Sequence, residues 1–376
     1  MTRSRDGQRP NSCAPNGMIE ADMVFMRRAL DLARRGAGLV SPNPMVGALL
    51  VGNGRLLGEG FHRYDLLKHG ETYAIEMAGG QARGATLYCN LEPCCHHGRT
   101  PPCTDALIEA GISRAVIATK DPFARVNGRG IEQLRAAGIE VEAGLCEDEA
   151  LRLNEAYFKF VTRGVPFVHG VIEYANDQPW TAVGWSPSRE FVEAATEYDA
   201  IVLGARHDLN KMLIEKRLSQ KHHRPFVVVG APDALDPHFA PLREEKDEEA
   251  IIIKLAREKE LSHGVPPPPG GRTEISNVAS MKGSPVRQEL GSVLEVLARV
   301  SVTSVLLLPG VFDPGAPTIF EQLDKLSLVV PGANGEDSPA TQLAFADLEF
   351  DLEEVSVVEG EGYTEFTGYP SFRGVA

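Results

Sequence analysis

One short part of the chain carries side chains that could hold a metal ion and work beside it. His69 lies two positions before Glu71, and Cys94 and Cys103 follow with eight residues between them. An imidazole and two thiolates form a three-ligand zinc site whose fourth position stays open for water, unlike the closed site of a structural zinc. Zinc lowers the pKa of a bound water from about 15.7 toward about 7, so this site would supply hydroxide at neutral pH.

Glu71 is the candidate for proton transfer in this set. Two residues from a ligand, its carboxylate would reach the water without binding the metal, take a proton and return protons to the substrate. The competing interpretations are a chance grouping of core histidine and cysteine, or a structural zinc. A structural zinc has no use for an unbound carboxylate beside it, so the residue types favour hydrolytic chemistry.

These side chains must be positioned by strands and helices that the local pattern predicts. A helix is expected to begin near His69, and a strand over residues 85–89 comes before Cys94. Pro101-Pro102 stand where the first turn of the next helix tolerates proline. Further strands are expected over residues 45–51, 56–60, 115–119 and 139–143, with a helix over 131–137. This alternation predicts an α/β domain with helices on both faces of a mixed sheet.

The ends of this domain are expected at two further helices. Asp22 is interpreted as the cap of a helix that runs to Gly36, and residues 147–161 as a closing helix. Alternation then resumes with strands over residues 167–174, 200–204, 225–229, 250–254 and 305–308 and helices over 189–196 and 293–300. With 376 residues the chain is too long for one ordinary core, so two domains are predicted.

Composition limits the partners. The formal net charge of −14 would repel a polyanion, so no nucleic-acid partner is expected. No stretch approaches the ~20 apolar residues of a membrane helix, so no membrane partner is expected either. Four of the six cysteines fall within fifteen residues, which is typical of a metal site in a reducing compartment and not of a disulfide scaffold.

Residues 91–103, Leu-Glu-Pro-Cys-Cys-His-His-Gly-Arg-Thr-Pro-Pro-Cys, closely resemble the riboflavin-pathway pyrimidine deaminases of bacteria and plants, the RibD family. The His-x-Glu and Pro-Cys pattern is similar to that of zinc deaminases in general, except that nucleic-acid deaminases have only two residues between the cysteines. Residues 41–47 (Ser-Pro-Asn-Pro-Met-Val-Gly), 60–62 (Gly-Phe-His), 121–122 (Asp-Pro) and 128–130 (Gly-Arg-Gly) resemble the family in the same order.

The resemblance implies a fold and a reaction. Residues 22–165 would form a cytidine-deaminase-like three-layer αβα domain, and residues 166–376 a dihydrofolate-reductase-like α/β domain with a flexible insertion around 231–290. Residues 1–21 would be a disordered tail or the stub of a transit peptide. The implied reaction is hydrolytic, Zn²⁺-dependent deamination of 2,5-diamino-6-ribosylamino-4(3H)-pyrimidinone 5′-phosphate. A homodimer is also implied, in the plastid stroma if the chain is of the plant type and otherwise in the cytoplasm.

Several side chains are candidates for holding such a substrate. Arg99 and Thr100 precede a helix whose free backbone N–H groups would favour a phosphate. Asn43 can read a pyrimidine edge with its paired donor and acceptor. The remaining candidates are two histidines for the ribose or phosphate, and an aspartate that the resemblance adds: His62, His96 and Asp121.

The chain departs from the family pattern near this site. Phe123-Ala124 replace Asn-Pro, and residues 64–67 (Tyr-Asp-Leu-Leu) replace an Ala-Gly pair. Neither departure touches the metal ligands or Glu71, so we expect altered substrate fit and retained chemistry.

The second half follows the order of the family's reductase domain but not its working residues. Val171 replaces a lysine, residues 175–178 (Ala-Asn-Asp-Gln) replace Ser-Leu-Asp-Gly, and residues 308–311 (Leu-Pro-Gly-Val) replace Glu-Gly-Gly. Cationic anchors and a glycine-rich backbone are what a dinucleotide phosphate needs, so NADPH binding is not expected. Plant-type deaminases share this combination of an intact deaminase and a decayed reductase domain.

Three other functions stay open on sequence grounds. The first is a bifunctional enzyme that also reduces the deaminated product with NADPH. The second is a non-catalytic zinc-bearing scaffold. The third is a cytidine or tRNA-type deaminase. The net charge and the eight-residue spacer disfavour the tRNA version, and free cytidine would leave Arg99 without a phosphate to bind.

Overall fold

The computed structural model describes residues 16–64, 66–174, 187–202, 207–218, 226–230, 250–254, 275–276, 287–308, 321–331, 333, 335–336, 338–346, 348, 350–360 and 363–372. The chain divides into two compact units. The first comprises Met1–Gly36 and Met45–Asn154, and the second Ala37–Pro44 and Glu155–Ala376. Among the described residues, no helix is both long enough and apolar enough to cross a bilayer.

The first unit is built on a mixed sheet. Its described strands are β1 (Gly47–Gly52), β2 (Arg55–Phe61), β3 (Thr86–Leu91), β4 (Arg114–Thr119) and β5 (Glu140–Ala143), in the order β2-β1-β3-β4-β5. β1 pairs antiparallel with β2 and β3, whereas β3, β4 and β5 are parallel. The helices are α1 (Asn16–Arg34), α2 (Gly70–Ala78), α3 (Cys103–Ala110), α4 (Arg129–Ala136) and α5 (Glu147–Leu153), with a 3-10 turn at Gly79–Ala82.

Helices cover the sheet in two groups. α1 packs on β1 and β3 and contacts α5, while α2 packs on β1 and β2 and is followed by α3 and α4. Under α1 and α5 the apolar side chains of helix and strands form one cluster, which includes Met26, Leu30, Leu49, Tyr88 and Val116. This arrangement confirms the predicted three-layer domain.

The first helix differs from the prediction. α1 begins at Asn16, so residues 16–21 are helical and Asp22 lies inside the helix instead of capping it. The Asp22 carboxylate is 6% exposed and accepts hydrogen bonds from the Arg114 guanidinium at 2.7 and 3.1 Å and from the Tyr88 hydroxyl. Burial by itself would raise the pKa of Asp22. The hydrogen bonds from Arg114 and Tyr88, together with the positive charge of Arg114, hold this pKa below its ordinary value.

The closing helix is two helices. α5 ends at Leu153, and α6 (Glu155–Arg163) follows after Asn154. The Asn154 side chain accepts from the Met45 amide at 2.8 Å and donates to the Met45 carbonyl at 2.9 Å. α6, which the sequence assigned to the first domain, groups with the second unit, where Lys159 pairs with Asp324.

The second unit contains a larger sheet. Its described strands are β6 (Phe167–Glu173), β7 (Ala200–Val202), β8 (Phe226–Gly230), β9 (Ala250–Lys254), β10 (Ile275–Ser276), β11 (Ser304–Leu307), β12 (Lys325–Pro331), β13 (Phe350–Gly360) and β14 (Tyr363–Phe372). They are ordered β10-β9-β8-β7-β11-β6-β12-β14-β13. The strands from β10 to β12 run parallel, and β14 and β13 close the sheet as an antiparallel hairpin.

Apolar clusters lie on both faces of this sheet. The helices are α7 (Arg189–Ala195), α8 (His207–Leu218), α9 (Arg287–Arg299) and α10 (Pro339–Ala346). α7 and α8 share one cluster with the sheet, and α9 and α10 share the other. The predicted strands of this half are confirmed within the described residues, including residues 250–254. Much of the predicted insertion at 231–290 lies outside the described residues, although residues 287–290 belong to α9.

The final hairpin is an element that the sequence analysis missed. β13 is largely exposed and carries Glu353, Glu354 and Glu359, so it lacks the alternation of apolar and polar residues that marks a half-buried strand.

We predict that Asp22→Asn destabilises the protein by about 2–3 kcal/mol, because it removes a buried charge that accepts several hydrogen bonds. Asp31→Asn on the same helix is the matched control, since its ion pair with Arg34 is solvent-exposed and should contribute almost nothing. Urea unfolding at neutral pH measures both variants.

The same pair of variants has a pH signature. Because the folded pKa of Asp22 is lowered, its stabilisation is present above the ordinary carboxyl pKa and lost as the pH falls through the lowered value. The difference in stability between wild type and Asp22→Asn should therefore shrink in acid. A difference that is constant from neutral to acid pH would contradict this role.

Candidate metal centre

The three predicted metal ligands come from three separate element ends in the first unit. His69 directly precedes α2, Cys94 lies in the segment after β3, and Cys103 is the first residue of α3. Their ligand atoms all lie within 4.8 Å of one another. The His69 Nδ1 atom is 3.2 Å from the Cys103 Sγ and 3.6 Å from the Cys94 Sγ.

These separations suit a tetrahedral zinc. Zn–N bonds of about 2.0 Å and Zn–S bonds of about 2.3 Å place nitrogen and sulfur ligands about 3.5 Å apart. The two observed N···S distances lie on either side of that value. Imidazole and thiolate are also donors that zinc prefers, so the residues fit the metal in both spacing and chemistry.

Local hydrogen bonds favour the thiolate form of Cys94. The Cys103 backbone N–H donates to the Cys94 Sγ at 3.3 Å. A hydrogen bond from the Cys103 thiol, with one from His69, lowers the pKa of Cys94 to about 4 and raises that of Cys103. Both hydrogen bonds therefore favour the thiolate form of Cys94, which is the form that a metal ligand requires.

The N-terminus of α3 differs from the expectation that its N–H groups are free for a phosphate. The Cys103 N–H is taken by the Cys94 Sγ, and the Thr104 N–H donates to the Cys94 carbonyl at 3.2 Å. Pro101-Pro102 precede this helix instead of standing in its first turn. The helix start therefore holds the Cys94 segment, and these two N–H groups are not available to a phosphate.

Glu71 lies in the first turn of α2 beside the ligands. It is 3% exposed, and its Oε2 atom has no hydrogen-bond partner in the part of the chain that the structure describes. Burial raises the pKa of this carboxyl, against the opposing influence of His69. A buried carboxylate oxygen without a partner needs a proton, a water or a ligand to offset its desolvation.

His62 supports a ligand ring. It follows β2, and its ring stacks on that of His69 with centroids 5.1 Å apart and an interplanar angle of 25°. The close packing of β2 against the start of α2 depends on Gly60. A Cβ at this position would lie 2.5 Å from the Gly70 carbonyl oxygen and would clash with it. Glycine therefore lets β2 and the start of α2 pack closely, which brings His62 and His69 together.

Glu92 holds the loops near the candidate metal centre, a role that the sequence analysis, which quoted this residue, did not assign to it. It is 3% exposed, and its carboxylate accepts from three backbone N–H groups, those of Asp121 at 3.2 Å, Gly128 at 2.8 Å and Ile131 at 3.1 Å. A Cβ at Gly130 would lie 2.2 Å from the Pro93 carbonyl oxygen. The Glu-Pro-Cys and Gly-Arg-Gly motifs are therefore parts of one packing unit, joined two residues before Cys94.

The loop that Glu92 anchors carries one of the departures from the RibD pattern. Asp121 is buried, and its carboxylate accepts from the Phe123 backbone N–H at 2.9 Å. The Phe123 ring contacts that of His96, with centroids 5.7 Å apart. The Nδ1 atom of His96 is buried without a hydrogen-bond partner among the described residues.

The other candidate substrate residues are more exposed. Arg99 donates from Nη1 to the Tyr64 hydroxyl at 2.7 Å. Thr100 is partly buried, and its carbonyl accepts from the Gly98 N–H at 3.1 Å. Asn43 is exposed and lies in the segment Ala37–Pro44, which groups with the second unit.

Position 171, where the family's reductase has its lysine, is part of the core of the second unit. Val171 is fully buried in a cluster with Phe191, Ile201 and Val329. Residues 175–178 and 309–311 lie outside the described residues.

A row of hydrogen-bonded polar side chains, Tyr198, His169 and Ser327, also lies in the second unit. His169 bonds the Tyr198 hydroxyl through Nδ1 and the Ser327 hydroxyl, 3.0 Å away, through Nε2. Burial, with a smaller effect of Lys325, lowers the pKa of His169 to about 3 and keeps the ring neutral. Both ring nitrogens are therefore occupied by protein partners.

Comparisons with known proteins agree with this geometry. Residues 19–119 match the family model of the cytidine and deoxycytidylate deaminase zinc-binding region. Riboflavin biosynthesis protein RibD of Aquifex aeolicus is 50% identical over 149 residues, which cover 40% of this chain and 42% of the relative. The chloroplastic riboflavin biosynthesis protein PYRD of Zea mays is 36% identical over 242 residues, which cover 62% of this chain and 60% of the relative.

A solved structure extends the match to the second unit. The crystal structure of a diaminohydroxyphosphoribosylaminopyrimidine deaminase/5-amino-6-(5-phosphoribosylamino)uracil reductase from Thermotoga maritima has a TM-score of 0.69 at 29% identity. The match covers 94% of this chain and 99% of that one. The chain is therefore similar to RibD proteins, in sequence over the zinc-binding deaminase region and in fold over both units. The RibD match confirms the predicted order of a cytidine-deaminase-like domain followed by a reductase-like α/β domain.

The limits of the sequence match are also informative. The chain spans about two fifths of the length of the Aquifex RibD that it matches. That match is long enough for little more than the deaminase region, whereas the structural match to the bifunctional protein covers both units. The match to the Aquifex RibD is thus about as long as the first unit, whereas the match to the Zea mays PYRD and the structural match both extend beyond it.

We predict that the purified protein carries one zinc ion and that Cys94→Ser loses it, because a hydroxyl is a far poorer zinc ligand than a thiolate. Cys95→Ser is the matched control, since the Cys95 Sγ points to the Arg125 carbonyl, 3.6 Å away, and lies outside the cluster. Elemental analysis after gel filtration measures zinc in each. Equal zinc in the two variants would remove Cys94 from the ligand set.

Proposed function

We propose that this chain is a zinc-dependent deaminase of riboflavin biosynthesis that acts on 2,5-diamino-6-ribosylamino-4(3H)-pyrimidinone 5′-phosphate. One observation carries the proposal: His69, Cys94 and Cys103 converge beside Glu71, a buried carboxylate with no hydrogen-bond partner on Oε2 in the described ranges. The zinc-binding deaminase region and the RibD relatives support the same reaction class.

The protein's own groups account for the proton movements. When bound at His69, Cys94 and Cys103, zinc supplies the Lewis acidity that makes water nucleophilic near neutral pH. Glu71 takes the proton of the water whose oxygen attacks the amine-bearing ring carbon, and delivers it to the adjacent ring nitrogen. A second proton from the added hydroxyl then passes through Glu71 to the amine. The carbon–nitrogen bond breaks, ammonia leaves, and a carbonyl remains on the ring.

The choice of substrate rests on the loop between the two cysteines. This eight-residue loop lies within the stretch 91–103 that resembles the RibD sequence, and it presents Arg99, an exposed cation suited to a phosphate ester. Free cytidine would leave that cation without an anion to bind. A tRNA substrate is disfavoured by the net charge of −14.

The second unit is proposed to be inactive as a reductase. Val171 offers no cation, and its complete burial leaves no surface there for a cofactor phosphate. The alternative, a bifunctional enzyme using NADPH, is favoured by the Thermotoga deaminase/reductase, whose fold covers 94% of this chain.

Two further proposals rest on resemblance. A homodimer is the assembly expected for the family. A plastid location is supported by the chloroplastic PYRD of Zea mays.

We predict that Glu71→Gln retains zinc but lowers turnover by about 10²–10⁴-fold, because the proton relay is lost while the ligands remain. Glu76→Gln on the same helix is the control, since Glu76 is exposed and pairs with Lys68. Ammonia release and zinc content are measured for both. Near-normal deamination by Glu71→Gln would refute its role.

The substrate is tested by comparing ammonia release from the pyrimidine ribosyl phosphate with release from cytidine. Release from the phosphate alone, abolished by a chelator and restored by zinc, is the expected result. Activity on cytidine alone would overturn the proposed substrate.

An NADPH titration monitored by nucleotide fluorescence is expected to show no saturable binding, and saturation would restore the bifunctional alternative.

A further inference from the structure

A hydrogen-bonded turn begins directly after His62. Arg63 and Lys68 exchange backbone hydrogen bonds of 3.0 and 3.2 Å, and the Leu67 N–H donates to the Tyr64 carbonyl at 3.2 Å. Tyr64, Leu66 and Leu67 of this turn lie in the stretch where the sequence departs from the RibD pattern, close to the candidate metal centre. Because His62 stacks on His69, the turn is anchored at a metal-ligand side chain.

Tyr64 links this turn to the loop between the two cysteines. Its hydroxyl accepts a hydrogen bond of 2.7 Å from Arg99 Nη1, and the Arg99 guanidinium carbon lies 5.6 Å from the centre of the Tyr64 ring. Arg99 is exposed, whereas Tyr64 is partly buried. The long, exposed side chain of Arg99 is thus held by the shorter and stiffer Tyr64 side chain. This hydrogen bond uses one of the five N–H donors of the Arg99 guanidinium.

Backbone N–H groups at the start of α3 do not join Arg99 in binding an anion. The first N–H groups of α3 are occupied by Cys94, so they do not face a ligand that would sit before the helix. Because these helix N–H groups are taken, the Arg99 side chain is the candidate cation for a phosphate bound in this loop. An unrestrained arginine would lose rotamer freedom on binding an anion, which weakens affinity.

We propose that Tyr64 is a positioning residue that holds Arg99 ready for the phosphate of the substrate. The inference rests on the proposed function, which supplies the phosphate. Tyr64 does not touch the reacting atoms; it lowers the ordering cost of the residue that binds the far end of the substrate. A Tyr64 hydroxyl that competed with phosphate for Arg99 would have the opposite effect, so the sign of the change in affinity in a Tyr64 variant separates positioning from competition.

The test uses the full-length, zinc-loaded protein and two readouts. The first is KM and kcat for the pyrimidine ribosyl phosphate, and the second is calorimetric binding of ribose 5-phosphate, which needs no turnover. Tyr64→Leu is expected to raise both the KM and the Kd about three- to tenfold, with kcat changed less than about twofold, since immobilising one long side chain is worth about that much affinity. Tyr64→Phe keeps the ring and loses the hydroxyl, so an intermediate value is expected.

Two controls separate positioning from general damage. Leu66→Ala lies on the same turn at an exposed position and should leave both constants unchanged. In an Arg99→Ala background, Tyr64→Leu should have no further effect, because the residue through which it acts is gone. Zinc content must equal that of the wild type in every variant.

The outcomes distinguish this inference from the proposed function. Unchanged or tighter ribose 5-phosphate binding by Tyr64→Leu overturns the inference, whether or not the wild type deaminates the pyrimidine. A full effect of Tyr64→Leu in the Arg99→Ala background overturns it too. If the wild type fails to deaminate the pyrimidine but binds ribose 5-phosphate in a Tyr64- and Arg99-dependent way, the inference stands and the proposed substrate fails. A wild type that does neither refutes both.

Discussion

The first unit depends on bringing one imidazole and two sulfurs to within metal-binding distance of one another. His69 and Cys103 are thirty-four positions apart in the sequence, yet the Nδ1 and Sγ atoms lie 3.2 Å apart. Local conformational preferences of the chain cannot hold two residues so distant in sequence at such a short distance. It requires β2 and α2 to pack at contact distance, β3 to end beside α3, and the loops between them to keep one conformation.

Buried polar groups supply that rigidity at the loops. The Glu92 carboxylate accepts hydrogen bonds from three backbone N–H groups. The Cys94 sulfur and carbonyl accept hydrogen bonds from the first two N–H groups of α3. Both arrangements satisfy donors that would otherwise be costly to bury. Cys94 is consequently both a helix-terminus partner and a candidate ligand. Metal binding and the local fold are therefore energetically linked.

The second unit shows how burial can maintain a fold while individual side chains vary. A long sheet with apolar clusters on both faces is stabilised by burial, which tolerates many side chains of suitable size and polarity. Val171 fits that requirement, although it could not hold a phosphate. The row of hydrogen-bonded polar side chains through His169 is satisfied by protein partners on both ring nitrogens, so it is accounted for by the fold.

The sequence alone predicted the candidate ligand set that the structure brings together, the order of strands and helices, and the order of a deaminase-like and a reductase-like half. Those properties follow from residue types at short spacing and from hydrophobic periodicity, which are local. Only the tertiary structure decided that Asp22 pairs with Arg114 instead of capping α1, that Glu92 joins two motifs, and that Tyr64 and Phe123 contact Arg99 and His96. These contacts join residues far apart in the chain, and their formation depends on how whole elements pack, which no short stretch of sequence encodes.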